Sequence, residues 1–151
     1  MLQISQEIID AIIAHARKEA PLEACGYLAE REGVVVGSYP LTNMDASQEH
    51  FSLSPAEQFA AVREMRAAGL QLCAIYHSHP ASPARPSEED IKLAYDPGIS
   101  YVIVSLAEEI PAVRSFRIKA PQVEHEDIEI VPQSFRGTAT PTNKPQGSKS
   151  K

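Results

Sequence analysis

Apolar residues recur at helical spacing near the start of the chain, where Ile4, Ile8, Ile9, Ile12, Ile13 and Ala16 fall on one stripe. With Ser5 placed to cap it and Pro21 to stop it, the spacing predicts an amphipathic helix over residues 5–20. "CGYLAE" and "VVVGSYPL" follow, parted by the turn-prone "REG", and predict a β-hairpin. "TNMDASQEHFSLS" has no period and reads as an irregular polar segment. "SPAE" then opens a second helix, with Ser54 as cap, Pro55 in the first helical position and Glu57 completing a capping box. Phe59, Val62 and Met65 form its expected inward stripe, and Gly69 its end.

"LQLCAIYHSH" predicts a buried central strand, because Leu70, Leu72, Ala74 and Ile75 are apolar. "SEEDIKLAY" repeats the capping-box pattern from Ser87 to Asp90 and predicts a short helix closed at Asp96-Pro97. "SYVIVSL", "AVRSFRI" and "VEHEDIEIV" predict three more strands. The order α-β-β-α-β-α-β-β-β indicates an α/β domain whose central sheet is mixed and flanked by helices, rather than a doubly wound parallel one. From Gln133 onward the chain carries few apolar residues and many Pro, Gly, Ser, Thr and Lys. Such a segment cannot offset the entropy of ordering. The expected division is one domain over residues 1–132 and a disordered tail over 133–151.

Composition narrows the function classes. The 151 residues, 43% hydrophobic and 23% charged, match an ordinary globular domain that needs no metal or disulfide staple to hold a core. A net charge of −6 repels phosphate backbones, so no nucleic-acid partner is expected. No apolar run approaches the roughly 18 residues of a membrane span. "MLQISQEIID" lacks the charged and apolar regions of a signal peptide. Cys25 and Cys73 read as reduced thiols, and the expected compartment is the cytoplasm.

The candidate chemistry lies in "AIYHSHPASPARPSEEDIKLAY". On a strand, residues i and i+2 share a face, so His77 and His79 project together, beside Cys73 and Ile75 if the pleat is regular. Two imidazoles make half of a tetrahedral zinc site, and Asp90, in the first turn of the next helix, can return as an oxygen ligand. Three protein ligands leave a position for water, as in catalytic zinc sites. The H-x-H pair alone is weak, since single histidines at strand ends are commonly surface or core residues, and a Ser with an Asp in a first turn is an ordinary cap. The joint spacing is specific.

Written out, "HSHPASPARPSEED" is H-x-H-P-x6-S-x2-D, which resembles the motif of the JAMM (MPN-plus) zinc metalloproteases without a mismatch. In compact prokaryotic members of that family an upstream glutamate precedes a Cys-Gly pair, and "PLEACGYLAE" matches with Glu23, Cys25 and Gly26. The resemblance covers roughly residues 1–131 in element order. It implies an MPN-like (cytidine-deaminase-like) fold, with His77, His79 and Asp90 as ligands to Zn2+. Glu23 is implied as the acid/base that takes a proton from water and passes it to the leaving amine. Ser87 is implied as a donor to the oxyanion. The implied activity is hydrolysis of an amide bond at the C-terminal glycine of a ubiquitin-like or sulfur-carrier protein, whose tail would be the partner. Homodimer formation stays open.

Two other readings stand beside it: a non-catalytic MPN-type interaction module, and a metallopeptidase acting on unrelated short peptides. Rival zinc sites fit less well. H-x-H is followed by Pro80-Ala81-Ser82 rather than x-D-H, there is no P-C-x-x-C or H-E-x-x-H, and neither cysteine sits in the context of an activated thiol. Cys25 is expected to pack rather than ligate, Cys73 to be core, and His15, His50 and His125 to lie at the surface. Arg85 is either solvated or a contact for a substrate tail.

Overall fold

The computed structural model describes residues 1–132. Their elements run β1 (Leu2–Ser5), α1 (Gln6–Glu19), β2 (Cys25–Arg31), β3 (Val34–Leu41), α2 (Pro55–Ala67), β4 (Gln71–His79), α3 (Glu88–Lys92), β5 (Ser100–Ser105), β6 (Ala112–Lys119), β7 (Gln122–Glu126) and β8 (Ile128–Val131). The strands form one sheet in the order β7-β6-β5-β4-β2-β3-β1-β8. Strand β4 runs parallel to β5, and β1 parallel to both β3 and β8, while the other neighbours are antiparallel. The expected α/β class with a mixed central sheet is what forms.

Period-two alternation divides the core between the two faces of the sheet. Leu28, Val35, Ala74, Tyr76, Val102 and Val104 pack with Ile8, Ile9, Ile12 and Ala16 of α1. Their strand neighbours Tyr27, Ala29, Val34 and Val36 pack with Ala61 and Met65 of α2 on the other face. A third cluster joins Ile103, Phe116 and Ile118 to Ile91 and Ala94 at α3. The β2–β3 hairpin closes through Glu32 (φ 53°) and Gly33 (φ 85°), the paired positive φ values that a two-residue primed turn requires.

Four expectations need correction. Residues 2–5 form a strand ahead of the helix: Ile4, read as part of the helical stripe, is fully buried between β3 and β8, and Ser5 caps α1 by accepting from the Ile8 N–H. Phe59 does not face inward but is 64% exposed, with the Arg63 guanidinium 5.5 Å from its ring centroid. Met65 is buried and Val62 partly buried as expected, and Ala61 takes the inward place of Phe59. "VEHEDIEIV" is broken at Asp127 into β7 and β8, which lie at opposite edges of the sheet. Finally, α3 stops at Lys92 rather than reaching Asp96. The expected disordered tail lies outside the described residues. No helix among them is long and apolar enough to cross a membrane.

Gly26 lies where β2 passes over Tyr76. A Cβ there would meet the Tyr76 ring at 2.5 Å and the Tyr39 carbonyl oxygen at 2.6 Å, and the second of these is backbone. Overpacking of this kind costs about 1–3 kcal/mol. Gly26→Ala is therefore expected to lower the urea midpoint by that equivalent, with the m-value unchanged.

Candidate metal centre

Strand β4 ends with His77 and His79 on the face shared with Ile75 and Ile103, both side chains nearly buried. Cys73 does not share that face. The β2–β4 register shifts between Leu28 and Ala29, so Cys73 is the extra residue of a bulge and packs with the α1 cluster. The expected alignment of Cys73 with the histidines fails for this reason, although its partly buried position keeps it a core thiol.

Pro80 ends the strand, and a loop carrying Pro83 and Pro86 returns the chain to α3. There Ser87 and Asp90 form a reciprocal capping box: Ser87 Oγ accepts from the Asp90 N–H at 3.0 Å, and Asp90 Oδ2 accepts from the Ser87 N–H at 2.9 Å. The cap that starts the helix thereby aims the Asp90 carboxylate at the strand end. His77 Nε2, His79 Nε2 and Asp90 Oδ2 lie 3.1, 3.2 and 3.0 Å from one another. Ligands on a tetrahedral ion at zinc-like bond lengths stand about 3.3 Å apart, so the triangle matches one face of such a shell. Among the described residues this is the group of His, Cys, Asp and Glu side chains that could hold a metal.

The partners of these atoms agree with that use. His79 Nδ1 lies 2.8 Å from the Pro83 carbonyl oxygen, which can only accept, so Nδ1 carries the hydrogen and Nε2 turns its lone pair inward. The His77 ring is stacked on Phe51 at 4.8 Å. Burial by itself would push the Asp90 carboxyl up, but the adjoining imidazoles of His77 and His79 and the bond from the Ser87 N–H outweigh it and hold Asp90 well below the usual carboxylate range. For His79 burial acts downward, and the Asp90 and Pro83 oxygens overcome it, raising the imidazole. Two imidazoles and an ionised carboxylate form a donor set suited to a divalent ion.

Glu23 precedes β2. The ladder sets Cys25 opposite His77, and continuing the same register sets Glu23 opposite His79. The side chain is 3% exposed, and its Oε1 has no hydrogen-bond partner. Burial first, then the neighbouring carboxylates of Asp90, Glu89 and Glu49, push its carboxyl up to about 8 against an opposing pull from His79. An orphaned acceptor beside three ligand atoms suits a water held at a metal, which is the second respect in which the residues fit such an ion. Cys25 is fully buried, its Sγ near the Leu41 carbonyl oxygen, and burial pushes the thiol up to about 12, so it packs as a neutral group. Ser87 remains exposed, with its hydroxyl hydrogen not engaged by Asp90.

A cleft of about 430 Å³ runs from His77 and Asp90 across the sheet between α2 and α3, its walls including Tyr27, Phe51, Ile75 and Tyr101. Phe51 was hidden within the irregular polar segment, and so was His50. His50 lines the cleft and bonds Asp45 through Nδ1 at 2.8 Å. His15 is not a free surface residue: its Nδ1 meets the buried Tyr76 hydroxyl at 2.7 Å, and burial lowers its pKa. His125 sits at the surface edge-on to Phe116, and Arg85 is exposed on the loop between the ligands.

Two outcomes follow from this geometry. Asp90→Asn and His77→Ala are each expected to weaken divalent-metal binding at least 100-fold, read as metal per chain after gel filtration. Glu23 holds its proton more tightly folded than unfolded, so its contribution to stability is complete below its unfolded value of 4.5 and is lost as the pH rises through about 8. In chelator-treated protein, Glu23→Gln is therefore expected to be more stable than the wild type near pH 9, by on the order of a few kcal/mol, and to match it near pH 4.

Comparison with known proteins agrees with the fold. Residues 5–119 match the family model described as prokaryotic homologs of the JAB domain. The CysO-cysteine peptidase of Mycobacterium tuberculosis is 38% identical over 136 residues, covering 88% of this chain and 93% of that protein. The solution structure of DSY2949 from Desulfitobacterium hafniense superposes with a TM-score of 0.82 at 46% identity, covering 88% of this chain and 94% of that one. A JAB1/MPN domain protein from Archaeoglobus fulgidus shares the fold, with a TM-score of 0.61 at 23% identity over 86% of this chain and 97% of that one. With this match over most of its length and the JAMM residues gathered at one strand end, the chain belongs to the prokaryotic JAB family, the compact branch of the JAMM/MPN proteins.

Proposed function

We propose that this chain is a zinc-dependent peptidase that hydrolyses the amide bond after the C-terminal glycine of a sulfur-carrier or ubiquitin-like protein. One observation carries the reading: the His77–His79–Asp90 triangle has beside it a buried glutamate, Glu23, with an unpartnered oxygen and a raised affinity for protons. An interaction module has no use for either feature.

Zinc held by His77, His79 and Asp90 would supply Lewis acidity and make water nucleophilic at neutral pH. Glu23 takes the proton from the attacking water and delivers it to the departing amine. A carboxyl displaced toward neutral pH suits both halves of that transfer. Ser87 spends its oxygen lone pair on the Asp90 N–H and keeps its hydrogen to donate to the oxyanion, where such a donor is worth about 3 kcal/mol. The cleft beside the centre accepts an extended peptide, and its apolar walls suit the residues ahead of a glycine terminus.

The substrate class is supported by the relative named CysO-cysteine peptidase and by the family resemblance, which links compact members to small carriers with a Gly-Gly end. Both cysteines are free, which accords with a reducing cytoplasm.

The test uses a sulfur-carrier protein extended by one cysteine after its Gly-Gly end, with mass spectrometry reading the loss of that residue. Wild-type protein is expected to release it and to stop when a chelator is added. Glu23→Gln should lower kcat roughly 100- to 10,000-fold with the metal retained, and Ser87→Ala roughly 100-fold. A metal-loaded wild type that leaves this substrate whole would remove the carrier from the reading.

A further inference from the structure

The segment between β3 and α2 is knitted by its own hydrogen bonds, and Asn43 stands at their centre. Its Nδ2 donates to the carbonyl oxygens of Glu23 at 3.1 Å and His50 at 3.0 Å. Its Oδ1 accepts from the N–H groups of Asp45 at 3.0 Å and Ser52 at 3.3 Å. Both donors and both lone pairs of the amide are used, and a reversed amide would set donors against donors. The same segment grips Glu23 from the other side, where the Ser47 carbonyl accepts its N–H at 2.8 Å.

Glu23 lies just outside β2, so no strand ladder pairs its own N–H or carbonyl. Ala24, the next residue, is tied instead to β4: its N–H donates to Ser78 Oγ at 2.8 Å and its carbonyl accepts from the Ser78 N–H at 2.9 Å. At the far end of the Glu23 side chain, Oε1 has no partner to steer it. The backbone must therefore aim the carboxyl group, and the loop holds that backbone. Through the His50 carbonyl, Asn43 also reaches the residue before Phe51, whose ring stacks on His77.

We propose that Asn43 is a positioning residue for the reaction: it clamps the Glu23 main chain so that the carboxyl faces His79 and Asp90, and it locks that setting to the wall of the cleft. The inference rests on Glu23 serving as the acid/base. A displacement of about 1 Å in such a group costs on the order of 100-fold in rate. Asn43 itself lines no part of the cleft, so its loss is expected to fall mainly on turnover.

The experiment compares Asn43→Asp, which keeps the acceptor and removes both donors, with Asn43→Ala and with Thr42→Val. The last loosens the same loop by removing the Thr42 Oγ bond to Glu57 but leaves Glu23 clamped. For both Asn43 variants kcat is expected to fall roughly 10- to 100-fold, with KM within about twofold and the metal content of the wild type. Thr42→Val should keep the wild-type kcat. Amide hydrogen exchange is expected to quicken at least about tenfold at the Glu23 N–H and to stay unchanged at the Ala24 N–H. In a Glu23→Asp background, Asn43→Asp should add less than about a twofold further loss, because the two residues act as one. Losses that multiply in the double variant, a change confined to KM, or wild-type exchange at Glu23 would overturn the assignment. The exchange measurement needs no turnover, so a wild type that cleaves no carrier would undo the functional reading while the clamp on Glu23 is still decided.

Discussion

The antiparallel ladder between β2 and β4, with Cys25 opposite His77, sets the geometry of the whole site. Because its register is locked along a buried sheet, the histidines and the glutamate arrive as neighbours from positions more than fifty residues apart in the chain. A slip of one residue would turn every side chain to the opposite face and send the imidazoles into the α1 core. The bulge at Cys73 shows how closely this is managed: an extra residue is absorbed upstream, and the ladder beyond it regains strict pairing before the ligands begin. Tyr76 and Gly26 belong to the same constraint, one filling the core under the strands and the other leaving it room.

Electrostatics then divides the carboxylates at this strand end between two tasks. Asp90 and Glu23 are both sequestered, yet their affinities for protons move in opposite directions. Asp90 gains two imidazoles and a backbone N–H, which stabilise its charge more than burial opposes it. Glu23 gains no hydrogen bond at Oε1 and faces other carboxylates, so burial prevails and its proton is held toward neutral pH. Carboxyl groups whose environments push them apart in this way can serve as a permanently charged ligand and as a proton carrier. The difference comes from partners rather than residue type.

The loop between β3 and α2 connects these parts. It clamps Glu23, lays Phe51 on His77 and forms one wall of the cleft, and α2 anchors it through Glu57, which bonds the Thr42 N–H and hydroxyl at 2.8 Å each. The capping box at α3 does a comparable service for Asp90, a local helix-starting device that also aims a ligand. Both the loop and the start of α3 are stiffened by short side-chain bonds and seated on the sheet, the usual arrangement for residues that meet a substrate.

Local patterns made much of this legible. Caps and proline positions marked α2 and α3, apolar runs parted by turn residues marked the strands, and the spacing from His77 to Asp90 marked the ligand set, because each depends on residues close in the chain. Phe59 misled because helical spacing defines a stripe but not the width of the surface that will cover it. Ile4 and "VEHEDIEIV" misled because parallel pairing at an edge leaves no short-range signature. The hydrogen bonds of Asn43, the stacking of Phe51 and the partnership of His15 with Tyr76 were invisible for a related reason: each joins a loop or helix residue to a group chosen by the register of the sheet. The sequence by itself determined the elements, the ligand types and their spacing, since these follow from local sterics and donor chemistry. Only the tertiary structure decided which carboxyl keeps its proton, which aromatic ring backs a ligand and what holds Glu23 in place, since burial and hydrogen-bond partners exist only once the strands are paired.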